Sequence, residues 1–340
     1  MSLAAAIRDR DVAELPGKRD EDWRWTDLRG LIRALPEPSQ PFKGDVGEGA
    51  FDDLAADRRA LVNGGHAAVE IAAGETATVA LRFVSRGGGS HASGATVGVG
   101  EGGHLRLFES YESDAASVAQ ASLTIRLGVG ATLERVVLTA DDAEAVSVSQ
   151  AEVQLAPRSR FSQTVVASGA RRQRIETRVL HPGGQAELRL DGIYLLADKR
   201  HSDQTTVVTH ASVDGTTVQL TKGVVRDQAR GVFQGRIVVE EGADRTDARM
   251  GHHALILSDR AEVDAKPELE IYADDVACAH GNTVGALDED ALFYARQRGM
   301  SEPEARALLT EAFIGEVIDR IEHEGARDVV RAWAAERLRA

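Results

Sequence analysis

The hexapeptide SLTIRL, residues 122–127, decides the fold class. Leu123, Ile125 and Leu127 alternate with Thr124 and Arg126, the period of two that a half-buried strand requires because successive side chains leave opposite faces. Working outward, the alternation recurs at Val79, Leu81 and Phe83, at Leu188 and Leu190 among Glu187, Arg189 and Asp191, at Val218 and Leu220, and at Leu255 and Leu257. From about Ala67 to Tyr272 the chain reads as many short strands with glycine, aspartate or asparagine at their ends. No helical block of about ten residues interrupts them, which disfavours a helix-separated parallel sheet. A sandwich, a propeller or a coiled solenoid of strands remains. No motif copies itself from turn to turn, which weighs against a propeller with signature blades. Periodicity by itself does not separate an irregular β-helix from a sandwich.

The chain has 340 residues, a formal charge of −14 and one cysteine, Cys278. The acidic balance disfavours a nucleic-acid partner, whose affinity comes largely from clustered Lys and Arg. One cysteine allows no internal disulfide. The N-terminal MSLAAAIRDRDVAEL meets charged residues before any apolar run of signal length, and no segment approaches the roughly 20 apolar residues of a membrane span. These features make a cytoplasmic location the expectation.

Several tempting motifs fall among the strands. Gly98, Gly100 and Gly103 in GVGEGG match a dinucleotide fingerprint, but such a fingerprint opens a helix, and the following HLRLFESY reads as a strand. SRGGGSHASG, residues 85–94, reads as a flexible turn. No G-x-x-x-x-G-K-[ST] occurs, so the chain is not itself a P-loop ATPase. His252 and His253 are adjacent and leave opposite faces of a strand, so a surface or turn role is expected for them. Arg171, Arg172 and Arg174 read as a solvated basic loop, and Asp274 with Asp275 as a cap or turn rather than an acid–base pair.

The two ends favour helix. From Leu3 to Leu35, Ala4, Ala5, Ala6 and Ile7 come early and Leu28, Leu31, Ile32 and Leu35 recur at helical spacing, with Pro16 and Gly17 dividing the pieces. Between them RDEDWRWTDL, residues 19–28, suggests an amphipathic helix that buries Trp23 and the apolar body of Trp25. Residues 37–49, with Pro38, Pro41 and several glycines, mark a linker. Three regions result: 1–49 helical with a linker, 50–285 strand-rich, and 286–340 helical. In the last, Asp288 caps a helix that Gly299 ends, and Ser301 with Glu304 forms a capping box before the next. That helix carries Ala305, Leu308, Leu309, Ala312, Phe313, Val317 and Ile321 on one side, widened by Ile314 and Ile318, and Gly325 is expected to stop it before a last helix with Trp333.

Polar chemistry concentrates in KPELEIYADDVACAHGNTVG, residues 266–285. Cys278 and His280 are two apart and share a face in an extended segment. A thiolate beside an imidazole suits zinc, copper or iron–sulfur chemistry. Two ligands do not close a tetrahedral site, so a metal there needs donors from elsewhere in the chain or from a second protein. The bland alternative is a buried cysteine acting as a small hydrophobe, with His280 satisfied nearby.

Residues 266–313, KPELEIYADDVACAHGNTVGALDEDALFYARQRGMSEPEARALLTEAF, resemble the C-terminal signature of the SufD proteins of the Suf iron–sulfur cluster assembly system. RDEDWRWTDL resembles that family's N-terminal Glu-x-Trp-x-Tyr-Thr-x-Leu element, with Trp25 in the usual tyrosine position. The resemblance covers both ends and accords with the strand-rich middle. It implies a right-handed parallel β-helix between two helical regions, a non-catalytic scaffold rather than an enzyme. It further implies pairing with a SufB-like scaffold and docking of a SufC-like ATPase on the C-terminal helices, through Phe293, Leu308, Leu309, Phe313, Ile314 and Val317. The family's Cys-x-His falls on Cys278 and His280, where iron and a transient iron–sulfur cluster would be shared with the partner and no cofactor is held permanently. A SufB-like chain is expected to carry more cysteine, since sulfur is received as persulfide and passed on; a single cysteine favours the SufD side. A homodimer of the isolated chain stays open. Two other readings compete: a carbohydrate-active β-helix enzyme using Asp274 and Asp275, and a purely structural solenoid that binds a protein.

Overall fold

The computed structural model describes residues 3–114 and 117–339. The chain alternates between two sheets. One holds β1 (Arg58–Val62), β3 (Thr76–Ser85), β5 (His104–Ser113), β7 (Thr132–Thr139), β9 (Arg160–Ala167), β11 (Glu187–Leu196), β13 (Thr216–Val225), β15 (Thr246–Ile256) and β17 (Val276–Gly285), in that spatial order. The other holds β2 (Gly65–Ile71), β4 (Gly89–Val99), β6 (Ser117–Leu127), β8 (Val146–Gln154), β10 (Arg172–His181), β12 (His201–His210), β14 (Arg230–Val239) and β16 (Glu262–Ile271). Every strand pairs in parallel with the next strand but one, as Ala248 with Cys278, 30 residues on. The architecture is a parallel β-helix.

Why period-two segments stack this way is visible in β6. Leu123, Ile125 and Leu127 point into the solenoid, where they join Val97, Leu107, Leu133 and Phe161 in one continuous core, while Thr124 and Arg126 face outward. Neither sheet can bury its inner row alone, and each turn is covered by the turns on either side. Leu133→Ala would cost about 2–5 kcal/mol through lost burial and the cavity left behind. The interior is not wholly apolar: the enclosed Arg135 donates to Glu109 through Nε at 2.8 Å and Nη2 at 2.6 Å, and the Tyr111 hydroxyl donates to the same carboxylate at 2.9 Å.

The glycine motif GVGEGG forms a corner. Gly102 has φ +62°, and a Cβ on Gly100 would lie 2.6 Å from the Ala73 nitrogen of the preceding turn, so the corners stack only because that position is bare. His104–Ser113 follows as a strand, as the sequence indicates. SRGGGSHASG is mostly not a loop: Ser85 ends β3, and β4 begins at Gly89.

The N-terminal segment departs from the expected helices. It contains α1 (Leu3–Asp9) and α2 (Leu28–Leu31), with single 3-10 turns at Val12–Glu14 and Glu21–Trp23 between them. The physical reason is that its polar groups are spent on the solenoid. The Asp22 carbonyl accepts from Arg174 Nη1 at 2.6 Å and Gln234 Nε2 at 3.3 Å. Thr26 Oγ1 donates to Asp203 at 2.5 Å, and His201 Nε2 to the Trp25 carbonyl at 3.0 Å. Asp22 pairs with Arg236 at 2.9 Å and Glu21 with Lys266 at 2.8 Å. The segment is thus a strap across β10, β12, β14 and β16. Beneath it Arg174, expected in a solvated loop, is fully buried in β10, ion-paired to Asp203 and Glu176 and stacked 4.3 Å from the Trp23 ring. Trp23 and Trp25 are themselves only half-buried.

At the other end lie α3 (Glu289–Gln297), α4 (Glu302–Ile318) and α5 (Glu324–Arg339). Asp288 caps α3, Gly299 has φ +94°, and Ser301 with Glu304 forms the capping box of α4, all as the sequence indicates. Ile314, Val317, Ile318 and Ile321 pack on Val136, Ile193, Leu220 and Val224, the outward row of the nine-stranded sheet. Gly325 does not stop α4; it lies in the first turn of α5, close under Leu54. The break comes earlier, where the Glu134 carboxylate accepts from the backbone nitrogens of Glu322 at 2.6 Å and His323 at 3.0 Å. Among the described residues no helix is long and apolar enough to cross a membrane.

Candidate functional site

Stacking ends at β16 and β17. Each pairs with one neighbour only, β14 and β15 respectively, so each leaves an open sheet edge. Pro267, inside β16, accords with this, because a residue without a backbone N–H is tolerated in an edge strand. Around the open end Ile271, Tyr272 and Val284 are exposed, Tyr272 to 64%.

Register places the expected pair within this end. Cys278 lies beside Ala248, His280 beside Met250 and Asn282 beside His252. Ala248, Met250 and His252 are all buried inside the solenoid, so Cys278, His280 and Asn282 form the inward row of the last strand. No further turn covers them. Cys278 is half-buried against the core and His280 is exposed. Burial pushes the Cys278 thiol up, opposed by a hydrogen bond with the Ala248 backbone and reinforced by Asp247. A thiol so placed needs a metal or a neighbouring cation to become thiolate. Among the described residues no group of three or more His, Cys, Asp or Glu side chains converges to hold a metal ion. The pair is brought together but not completed.

His252 was expected at a surface or turn and is instead buried in β15. Its ring lies 4.6 Å from that of Phe233 at 7° between planes, with Nε2 2.8 Å from the Tyr194 hydroxyl and Nδ1 2.6 Å from Asn282 Oδ1. Burial lowers its pKa to about 4, so the ring is neutral: Nδ1–H donates to Asn282 and Nε2 accepts from Tyr194. His253 leaves the opposite face, toward Thr283 at 2.7 Å, as adjacent strand residues must. The sequence signal for His252 was available only as its spacing to Asn282, 30 residues on, which matters once the turn length is known. Asp274 and Asp275 sit exposed in the bend between β16 and β17, a turn role.

The C-terminal helices present a second surface, partly as expected. Phe293 is 64% exposed and Leu308 47%, while Leu309 and Phe313 are half-buried, the latter with Lys222 Nζ 4.5 Å from its ring centroid. Ile314 and Val317 do not belong to that surface. They are fully buried against the solenoid, because the helix turns its more strongly apolar stripe toward the sheet.

Known proteins resemble this chain. The family model described as SUF system FeS cluster assembly, SufBD core domain, matches residues 83–313, more than half of the chain. The Escherichia coli iron–sulfur cluster assembly protein SufD is 32% identical over 241 residues, 70% of this chain and 57% of its own length. A Synechocystis iron–sulfur cluster assembly SufBD family protein is 32% identical over 58% of this chain and 44% of its own length. A Mycobacterium leprae SufBD family protein is 30% identical over 92% of this chain and 88% of its own length. The match thus spans about half the length of the first two relatives.

Proposed function

Because the chain belongs to the SufBD family of the SUF iron–sulfur cluster assembly system, we propose that it is a non-catalytic scaffold subunit on which a nascent cluster is built at the open end of the β-helix. The observation that carries this reading is the inward row of β17: a thiol and an imidazole, side by side, at a strand edge that lacks its next turn. Iron and sulfide are cargo here, and the donors missing from a four-ligand site would come from the partner that closes the end. An edge with unpaired N–H and C=O groups recognises another strand by backbone hydrogen bonding, so a SufB-like β-helix is the partner of matching chemistry; a second copy of this chain is the other.

The ATPase, SufC-like, would dock on Phe293, Leu308, Leu309 and Phe313 of the C-terminal helices. In this reading ATP-driven movement of α3 and α4 reaches the solenoid through Glu316 of α4 and Arg320 just beyond its end, whose pairs with Lys222 (2.5 Å) and Asp191 (3.2 Å) fasten the segment to the nine-stranded sheet. Such coupling requires two states with different contacts. The chain itself would turn over no substrate and act in the cytoplasm. No observation favours the carbohydrate reading, whose Asp274 and Asp275 sit exposed in a bend.

The test is co-expression of the tagged chain with a SufB-like scaffold and a SufC-like ATPase, anaerobic isolation, and assay of iron, acid-labile sulfide and the visible spectrum. Cluster in the wild-type complex and its loss in His280→Ala, with the complex intact, are expected. Unchanged cluster content in His280→Ala would sink the ligand assignment.

A further inference from the structure

We infer that Asn282 is a positioning residue for the terminal row, and that a buried file, Tyr194–His252–Asn282, is what holds it. The file runs along the inward face of four successive turns and steps by two residues on the way, from Tyr194, level with Gly223 and Ala254, to His252, level with Thr221 and Asn282. Tyr194 starts it on β11, fully buried. Its ring lies over Gly223 of β13 and against Gly231 of β14: a Cβ at Gly223 would stand 1.9 Å from Cζ of the tyrosine, and one at Gly231 2.5 Å from Cε2. Two bare positions therefore form the slot that lets the hydroxyl span β13 and reach His252 on β15 at 2.8 Å. Phe233 stacks on the imidazole with 4.6 Å between ring centroids and 7° between planes, which fixes its plane. From there Nδ1 reaches Asn282 on the edge strand at 2.6 Å.

The consequence lies two residues away. Asn282 ties the inward row of β17 to a group that cannot move without opening the core, and His280 stands about 6.6 Å along the same face of the strand. An edge strand with one neighbour opens locally at low cost. The bond at Asn282 resists that opening where an incoming turn would meet His280 and Cys278. What is positioned rests on the cluster reading above; that the file positions the strand does not.

The experiment is backbone amide exchange of residues 276–285 in the full chain, followed by mass spectrometry, for wild type, Asn282→Ala, Asn282→Asp and Tyr194→Phe. Losing one neutral hydrogen bond, about 1–1.5 kcal/mol, predicts exchange about tenfold faster in Asn282→Ala. Asn282→Asp keeps the accepting oxygen and is expected to return to within about threefold of wild type. Tyr194→Phe removes one oxygen three strands from the edge, and several-fold faster exchange is expected at β17; a purely local packing role for Asn282 would leave it unmoved. Exchange within about twofold of wild type in both Asn282→Ala and Tyr194→Phe would overturn the proposal. If Asn282→Ala does not fold, Tyr194→Phe and Asn282→Asp decide it. No metal, sulfide or partner enters this measurement, so its failure leaves the cluster reading standing. Failure of His280→Ala to alter cluster content leaves the file standing.

Discussion

At β10 and β12 the solenoid buries charge, and at β16 and β17 it exposes apolar surface. Arg174, Asp203 and Glu176 lie under the strap with almost no access to water, while Ile271, Tyr272 and Val284 at the last turn stand in solvent. The strands have the same length and period and the same parallel pairing. The difference comes from what covers them. In the middle of the stack a turn has neighbours on both sides and the strap outside. The last turn has one neighbour, and the strap reaches it at Lys266, through Glu21. Burial in a solenoid is conferred by the adjacent turn rather than by the residue. The inward row of β17 is therefore a core row without its lid, which is why Cys278 is only half-buried and His280 exposed.

The largest effect that would sharpen this contrast is acid. His181, His201 and His252 have pKa values lowered to about 4 and His210 to about 3, each chiefly by burial, with the stacked His181 also lowering His210. Below the ordinary value of 6.5 the unfolded chain binds protons that the folded chain refuses, so stability falls as pH drops. Each histidine contributes a loss of about 2 kcal/mol by pH 5. Asp191 has the opposite sign: burial pushes it up to about 7, against Arg320 and Arg189, so the folded state gains as pH falls and offsets about one histidine. Urea denaturation at pH 7 and pH 5 should show the fall. An unchanged midpoint would mean that the covered turns admit protons as freely as the open one.

Next in size is Arg174→Ala. It leaves Asp203 and Glu176 buried without their cation, and a loss of about 3–5 kcal/mol is expected in chemical denaturation. A loss below about 1 kcal/mol would show that the strap does not seal this turn. Thr26→Val tests the strap with one atom. Removing the hydroxyl that donates to Asp203 should cost about 1–3 kcal/mol by thermal melting, because the carboxylate it serves stays enclosed. The smallest expected effect is at the open end. His280→Ala should change stability by less than about 0.5 kcal/mol, as exposed substitutions do, while it removes cluster from the co-expressed complex. A large stability loss there would break the comparison, since it would make His280 part of the fold.

How much of this could be read in advance follows the range of each interaction. SLTIRL was legible as a strand because alternation is set by neighbouring residues, and the GVGEGG corner by the strand that follows it. The Ser301–Glu304 box was legible because its partners are three residues apart. Arg174 was misread as solvated because the groups that bury it, Trp23 and Asp203, are 151 and 29 residues away (174 − 23 and 203 − 174). The strap was misread as helix for the same reason, its backbone and side-chain partners lying on β10, β12, β14 and β16. That Cys278 and His280 share a face was legible from their spacing of two. Asn282 and His252 were missed because their contact depends on the turn length.

The sequence by itself determined the strands, their inward and outward rows, the helix caps at the C-terminal end, and a cysteine and a histidine two apart on one face. Each rests on residues within a few positions of one another, where backbone geometry dictates which side chains share a face. Periodicity left a coil and a sandwich open, the family resemblance implied the coil, and the tertiary structure shows it; only the tertiary structure decided that the N-terminal segment is a strap. It likewise placed Cys278 and His280 on an inward row left uncovered at that end. Those outcomes depend on register between strands some thirty residues apart, and a shift of one residue would turn every inward side chain out.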